Sequence, residues 1–212
     1  MQQIDLTQWP RAEHYSFFAN MADPYFSVCV RLDMQTLYQF CKQHQVSFYL
    51  GYLFAVHKTI NENTDIRLRI EGGKVYQLAR ARINAVQLDG DLFKISYLPD
   101  ETDFKQFCDK SQQAFKLALS QPLISKQFIA NEGQLDCIHI SVLPWLDFTG
   151  FSHATNFGTQ NGIPKLVFGK LNPHDFTMPL AIDVHHGLMD GLHVARFIDA
   201  LQRNLNQPPS LL

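Results

Sequence analysis

The 212-residue sequence predicts an α+β fold, a two-layer sandwich in which helices pack on a mixed β-sheet. Short alternating apolar segments flank strong turn signals such as Asp89-Gly90-Asp91, as in β-hairpins. Other segments carry apolar residues at helical spacing, as Val194, Phe197 and Leu201 do. The two kinds of segment do not alternate in a strict βαβ order, so a purely parallel sheet is not expected. A hydrophobic content of 46% with 18% charged residues indicates one globular domain over residues 1–212.

The first elements are a strand and two helices. Residues 26–32 alternate between apolar and polar side chains, which is typical of a strand. Asp33 is a candidate N-cap for a helix through Leu37, Phe40 and Cys41, because its carboxylate can accept a backbone N–H. Ser47 is expected to cap a longer apolar helix from Phe48 to about Ile60 in the same way.

The rest of the chain is predicted to form, in order, two hairpins, a helix, a strand, a third hairpin and a last helix. Glycines and Asp or Asn at the turns define the hairpins, and an apolar stripe defines each helix. The predicted segments are hairpins 66–70/75–78 and 83–88/92–97, helix 101–119, strand 137–143 ended by Pro144, hairpin 166–171/177–184, and a last helix that starts after Asp190, carries an apolar stripe to Leu205 and is ended by Gln207-Pro208-Pro209.

Composition excludes several function classes. The net charge is −2 and no block of Lys or Arg is present, so neither nucleic acid nor an anionic membrane surface is an expected partner. The longest apolar runs are too short to cross a membrane and contain His57, Lys58 or Asp183. The N-terminus lacks the pattern of a signal peptide. The four cysteines form no CxxC pair, which favours reduced thiols and a cytoplasmic location.

The segment Val184-His185-His186-Gly187-Leu188-Met189-Asp190-Gly191 joins the last strand to the last helix. Strand alternation places His186 on the apolar face with Met178 to Val184, and His185 on the other face with Asp183. We therefore expect His186 to point inward and His185 outward. A sheltered neutral imidazole, with an unperturbed pKa of about 6.5, can accept a proton from a hydroxyl or thiol.

Two other interpretations of this segment remain open. His186 can be a core histidine whose hydrogen bonds are satisfied, with Asp190 only the N-cap of the last helix. His185, His186, Asp190 and His193 can also bind a metal, but adjacent histidines on a strand point to opposite faces and cannot easily share one ion. No metal is therefore expected.

Three motifs together resemble the chloramphenicol acetyltransferase family. They are Trp9-Pro10-Arg11-Ala12-Glu13-His14-Tyr15, then Ile140-Ser141-Val142-Leu143-Pro144-Trp145, and His185-His186-Gly187-Leu188-Met189-Asp190-Gly191 with the start of the last helix. They occur in the family's order and spacing across essentially the whole chain. The resemblance implies an α/β acyltransferase fold, shared distantly with dihydrolipoyl acyltransferase cores, and acetyl-CoA as co-substrate.

The resemblance also implies a role for four residues. His186 would be the general base and Ser141 would hydrogen-bond the tetrahedral oxyanion, a contact worth about 100- to 1000-fold in rate. Asp190 would pair with Arg11 and hold the loop that aims His186. The active sites would lie between the subunits of a homotrimer, with the acyl donor entering from the side opposite the acceptor.

The sequence departs from the family in the implied acceptor pocket. Phe18 stands where a tyrosine is common, His153 and Lys165 where aliphatic residues are usual, and Val167 where a threonine is expected. The substrate-binding residues that the resemblance implies are Phe17, Phe18, Tyr25, Phe93, Phe128, His153 and Val167. If His153 and Lys165 lie inside, we expect each to have a partner on the ligand or on a neighbouring subunit. Each can equally face solvent, and this alternative is favoured for Lys165.

The leading hypothesis is an acetyl-CoA-dependent O-acetyltransferase that acts on a small-molecule alcohol, chloramphenicol being a possible acceptor. One alternative is acyl transfer to another small alcohol or thiol. A second is a non-catalytic binding trimer of the same fold, and a third is a metallo-hydrolase.

Overall fold

The computed structural model describes residues 1–154 and 160–209. Within these ranges six α-helices accompany two β-sheets. The helices are α1 (Ala12–Phe18), α2 (Gln35–Gln43), α3 (Phe48–Glu62), α4 (Phe104–Leu119), α5 (Lys126–Asn131) and α6 (Gly191–Leu205). The strands are β1 (Gln2–Gln3), β2 (Tyr25–Asp33), β3 (Leu68–Glu71), β4 (Lys74–Gln77), β5 (Arg82–Asp89), β6 (Leu92–Tyr97), β7 (Cys137–Val142), β8 (Lys165–Phe168) and β9 (Thr177–His185).

The larger sheet has six strands in the order β2-β9-β8-β7-β5-β6. β7 runs parallel to both β5 and β8, while the other neighbouring pairs are antiparallel. β1, β4 and β3 form a small antiparallel sheet. The predicted mixed sheet with packed helices is therefore confirmed.

One face of the large sheet is apolar and carries the helices. Ile140 of β7, Leu166 of β8 and Ile182 of β9 are fully buried in the same core cluster as Val56 of α3 and Phe197 of α6. Because side chains alternate along a strand, the residues between these project from the opposite face. The helix layer and this sheet face together form the main core.

The opposite face carries polar side chains from all six strands, which we call the polar row. Register pairing aligns its members across the sheet. They are, from β2 to β6, Ser27, Asp183, Lys165, His139, Asn84 and Tyr97. The two faces of one sheet thus differ sharply: one is a packed core, and the other presents hydrogen-bonding and charged groups.

The structure confirms the three predicted hairpins and the predicted Ser47 cap, whose hydroxyl accepts the Leu50 N–H at 3.3 Å. The predicted cap at Asp33 is wrong, because Asp33 is the last residue of β2 and Met34 is the N-cap of α2. Helix α4 begins at Phe104 and not at Glu101, since the Asp103 side chain accepts the Gln106 N–H. Helices α1 and α5 were not predicted.

Within the described residues, no helix is both long enough and apolar enough to span a membrane.

Candidate active site

His186 lies at the turn between β9 and α6, and its ring is held between two aromatic rings. The Phe18 ring stacks on it at 4.0 Å between centroids and 10° between planes, and the Phe26 ring lies at 4.6 Å. The His186 N–H donates to the Pro24 carbonyl at 2.8 Å, which fixes the backbone beside β2. Nδ1 is buried without a hydrogen-bond partner among the described residues, so Nε2 is the accessible ring nitrogen. The ring is therefore placed to exchange a proton through Nε2.

His185 is buried, with 1% of its surface exposed, so the prediction that it faces outward is wrong. β9 is paired on both sides and every residue from Met178 to His185 is buried. In a central strand covered on both faces, alternation does not separate buried from exposed positions. Its Nδ1 accepts the Gly187 N–H at 3.1 Å, and burial lowers the pKa of the imidazole to about 4.

Arg11 connects α1 to the turn that carries His186. Its Nη1 donates to Asp190 Oδ2 at 2.8 Å, and its Nη2 donates to the His186 carbonyl at 3.1 Å. The contact that the resemblance implies between Arg11 and Asp190 is thus present, and the same guanidinium also binds the His186 backbone. The turn is consequently fixed at both of its ends by one side chain.

Asp190 is both the N-cap of α6 and the partner of Arg11. Its Oδ1 accepts the Leu192 and His193 N–H groups, and the His193 ring lies 2.5 Å from it. Burial opposes ionisation of this carboxyl, but the hydrogen bonds from His193 and Arg11 lower its pKa well below the usual range. His193 was considered only as a metal ligand, although its position three residues after the cap is that of a capping-box partner.

Ser141 lines a cavity of about 490 Å³ on the polar face of the large sheet, which we call the Ser141 cavity. Three of the predicted substrate-binding residues, Phe93, Phe128 and His153, line it as well. Asn84, His139 and Lys165 of the polar row, together with Phe151, complete much of the wall. The structure therefore gathers Ser141 and these predicted pocket residues at one site.

A second cavity, of about 510 Å³, lies next to the first, and we call it the Trp145 cavity. Its walls are mostly aromatic and aliphatic, and Lys170 adds a cation. Val86 lines both cavities, and Val142, the residue after Ser141, lines this one. The two cavities thus share the wall residue Val86, and the consecutive residues Val142 and Ser141 each line one of them.

The other predicted pocket residues do not reach the Ser141 cavity of the same chain. Phe17 and Phe18 lie at His186, and the Tyr25 hydroxyl accepts the Gly162 N–H at 3.0 Å. Val167 is fully buried and does not line the cavity, in contrast to the prediction. Within one chain, the predicted pocket residues therefore do not all lie together.

Sheet geometry explains this separation. Ser141 is in register with Val167, and Val167 with Ala181, five residues before His186. Two strand spacings across the sheet and five residues along β9 place His186 roughly 19 Å from Ser141. One chain therefore presents two half-sites, one with His186 and one with Ser141.

His153 and Lys165 have partners within the chain, contrary to the expectation that a ligand or another subunit must supply them. His153 Nδ1 lies 2.7 Å from Asp183 Oδ2, and Ser27 Oγ donates to the other oxygen of Asp183. Burial raises the pKa of Asp183 but the His153 and Ser27 hydrogen bonds outweigh it, so the pKa is lowered overall. Lys165 Nζ donates to the Ala154 carbonyl at 2.7 Å.

In the part of the chain that the structure describes, no group of three or more His, Cys, Asp or Glu side chains is arranged to hold a metal ion. The His185 ring accepts the Gly187 N–H, and the ring of His193 contacts Asp190.

Comparisons with known proteins agree on one family. The model of the family described as "Chloramphenicol acetyltransferase" matches residues 1–202. A chloramphenicol acetyltransferase of Staphylococcus aureus is 28% identical to this chain, over 97% of this chain and 96% of the relative. One of Proteus mirabilis is 27% identical, over 94% of this chain and 92% of the relative. A solved structure of a chloramphenicol acetyltransferase superposes with a TM-score of 0.85 at 26% identity, covering 96% of this chain and 99% of that one. A probable dihydrolipoamide acetyltransferase of Listeria monocytogenes, at 17% identity and a TM-score of 0.65, covering 100% of this chain and 96% of that one, shares the fold.

Proposed function

The chain belongs to the chloramphenicol acetyltransferase family, and on that basis we propose that it transfers the acetyl group of acetyl-CoA to a primary hydroxyl, with chloramphenicol as an acceptor. The observation that carries the proposal is the His186 ring, clamped between Phe18 and Phe26 with its backbone fixed by Arg11. A general base must be held in one orientation with one nitrogen accessible, and this arrangement meets both needs.

In the proposed reaction His186 Nε2 takes the proton of the acceptor hydroxyl as the oxygen attacks the thioester carbonyl. The Ser141 hydroxyl donates to the oxyanion of the tetrahedral intermediate. The carbon–sulfur bond then breaks, and the proton on His186 passes to the departing CoA thiolate. The net result is an acetyl ester and free CoA, and Asp190 and Arg11 take no proton at any step.

The two adjoining cavities provide space for two substrates. We assign the acceptor to the Ser141 cavity, because Ser141 and the polar row line it. We assign the acyl donor to the Trp145 cavity, where Lys170 can meet a phosphate and aromatic walls can cover the pantetheine chain and the adenine. Because Ser141 lines one cavity and Val142 the other, we place the meeting of the thioester and the hydroxyl beside this part of β7.

The proposed oligomer is a homotrimer whose sites lie between subunits. His186 and Ser141 of one chain are too far apart to act on one substrate atom, so His186 must be paired with Ser141 of a neighbouring copy. Exposed aromatic side chains at both half-sites, Phe17 at 64% and Phe93 at 50%, support burial against another copy.

A cytoplasmic location is proposed from the cysteines. All four are free thiols, and Cys41 and Cys137 are buried in the fold. A protein with unpaired buried thiols suits a reducing compartment.

The test is thiol release from acetyl-CoA by the purified protein, followed with a thiol reagent with and without chloramphenicol. Rapid chloramphenicol-dependent release, with acetylated product identified by mass spectrometry, is expected. If the CoA thiol is released with another alcohol or thiol but not with chloramphenicol, that compound replaces chloramphenicol as the proposed acceptor. The absence of release with every acceptor would point to a binding protein and would contradict the proposal.

A further inference from the structure

The middle of the polar row forms one wall of the Ser141 cavity. Asn84, His139 and Lys165 come from the neighbouring strands β5, β7 and β8 and are register partners. The side chains of register partners project from the same face of the sheet next to one another, at the strand spacing of about 4.8 Å. A molecule in this cavity therefore meets three adjacent polar side chains.

His139 presents a hydrogen-bond donor to the cavity. The Asn84 amide nitrogen lies 2.7 Å from Nδ1, which therefore accepts and leaves the proton of the neutral ring on Nε2. Burial, and next the Lys165 ammonium, lower the pKa of His139 to about 4, so the ring is neutral at pH 7. Nε2 is neither buried nor bonded to any described residue. Its N–H is available to a ligand.

Lys165 places a cation beside His139. Its ammonium group has three N–H donors, and the Ala154 carbonyl takes one of them at 2.7 Å. Within the described ranges no carboxylate lies within ion-pair distance of Lys165. Two donors and a full positive charge therefore remain for a ligand.

Neither of the carboxylates around the cavity forms an ion pair with Lys165. Asp183, the register partner of Lys165, directs its two oxygens to His153 and Ser27. Glu132 also lines the cavity, but it is exposed to solvent, where water screens it. The depression of the His139 pKa by surrounding cations fits a positive potential at this wall.

We infer that the preferred acceptors of this enzyme are alcohols that carry a carboxylate, bound by Lys165 and by His139 Nε2–H. The inference rests on the proposed function and narrows its substrate class. His139 and Ser141 are two residues apart on β7, so the carboxylate lies roughly 7 Å from the reacting hydroxyl. Chloramphenicol is neutral and leaves the Lys165 charge unused.

The test uses two rigid primary alcohols that differ only in this group, 4-(hydroxymethyl)benzoic acid and 4-(hydroxymethyl)benzamide. Acetyl transfer to each is measured with the native oligomer, and the ratio of the two kcat/KM values is the readout. We expect the acid to be favoured about tenfold or more, as for a charge-assisted hydrogen bond. Lys165→Met, which keeps most of the stem, should bring the ratio close to one, and Lys165→Arg should retain the preference.

Lys105→Met is the matched control, because Lys105 is an exposed lysine on α4 outside the cavity, and it should leave the ratio unchanged. If the native enzyme acetylates chloramphenicol but uses the acid and the benzamide equally well, or prefers the benzamide, the inference is wrong. The proposed function would still stand. If no acceptor is acetylated, the proposed function fails, and calorimetric binding of the two compounds decides the inference. Tighter binding of the acid that Lys165→Met abolishes would support it, and equal binding would refute it.

Discussion

Replacing Arg11 by methionine removes the contact that fixes the His186 turn while keeping an apolar stem of similar length. Two charge-assisted hydrogen bonds are lost, one to Asp190 at 2.8 Å and one to the His186 carbonyl at 3.1 Å. The Arg11 side chain is 13% exposed, whereas that of Asp190 is 36% exposed, so solvent screens part of the ion pair. With this discount we expect a loss of about 2 kcal/mol in the free energy of unfolding.

For a chain of this length, about 2 kcal/mol corresponds to a decrease of roughly 4–8 °C in Tm. The rate should fall as well, because a shift of the turn misaligns His186 Nε2 with the hydroxyl. Such a displacement costs up to about 100-fold in kcat. KM should change less, since Arg11 lines neither cavity. Thermal unfolding and acetyl-CoA thiol release measure the two effects.

Arg31→Met is the control for loss of an arginine ion pair. Arg31 binds Asp147 at 2.9 Å on the surface, where both side chains are more than 40% exposed (42% and 44%), and its removal should cost less than about 1 kcal/mol. Activity should be retained in this variant. If Arg11→Met had the same Tm and kcat as Arg31→Met, the positioning role of Arg11 would be refuted.

Two further predictions concern catalysis and pH. His186→Gln should lower kcat by about 100- to 10,000-fold and Ser141→Ala by about 100- to 1000-fold, with unchanged circular dichroism; near-native activity in either would remove that residue from the mechanism. Burial lowers the pKa of His139 and of His185 to about 4, from 6.5 in the unfolded chain. The free energy of unfolding is therefore undiminished by these two histidines above pH 6.5. As the pH falls from 6.5 towards 4 it decreases, by up to about 1.4 kcal/mol per pH unit for each histidine. Urea unfolding at pH 7.5, 6 and 5 at one protein concentration should show this decrease, and a constant free energy would contradict it.

Local chemistry made much of the fold predictable. The hairpins around Gly72-Gly73 and Gly90 follow from glycines that adopt positive φ, at 57°, 74° and 61°. The Ser47 cap was likewise visible as a serine before an apolar helix. At Asp33 the predicted position of the cap was wrong by one residue. The Asp33 carboxylate accepts the Gln35 N–H at 2.8 Å, but Asp33 is the last residue of β2 and Met34 is the N-cap of α2. Helices α1 and α5 have only seven and six residues, too few for a clear apolar period.

The site was predictable as far as motif resemblance reaches. The contact between Arg11 and Asp190, 179 residues apart in sequence, came from the resemblance and not from any local pattern. The partner of His153 was missed because Asp183 is 30 residues away and reaches it only through the register of β9. The burial of His185 was missed because a central strand is covered on both of its faces, which alternation alone does not reveal.

The polar row illustrates a property that only the paired sheet creates. Asn84, His139 and Lys165 stand in three separate strands and none belongs to a motif. Their alignment follows from the order of the strands and from the register between them, neither of which a single strand specifies.

Subunit complementation measures whether His186 of one copy acts with Ser141 of another. His186→Ala and Ser141→Ala chains, each nearly inactive alone, are unfolded, mixed in equal amounts and refolded together. In randomly assembled trimers about one quarter of the sites would combine an intact His186 with an intact Ser141 from the neighbouring copy, so about a quarter of native activity should return. A mixture no more active than the two separate proteins would contradict a shared site.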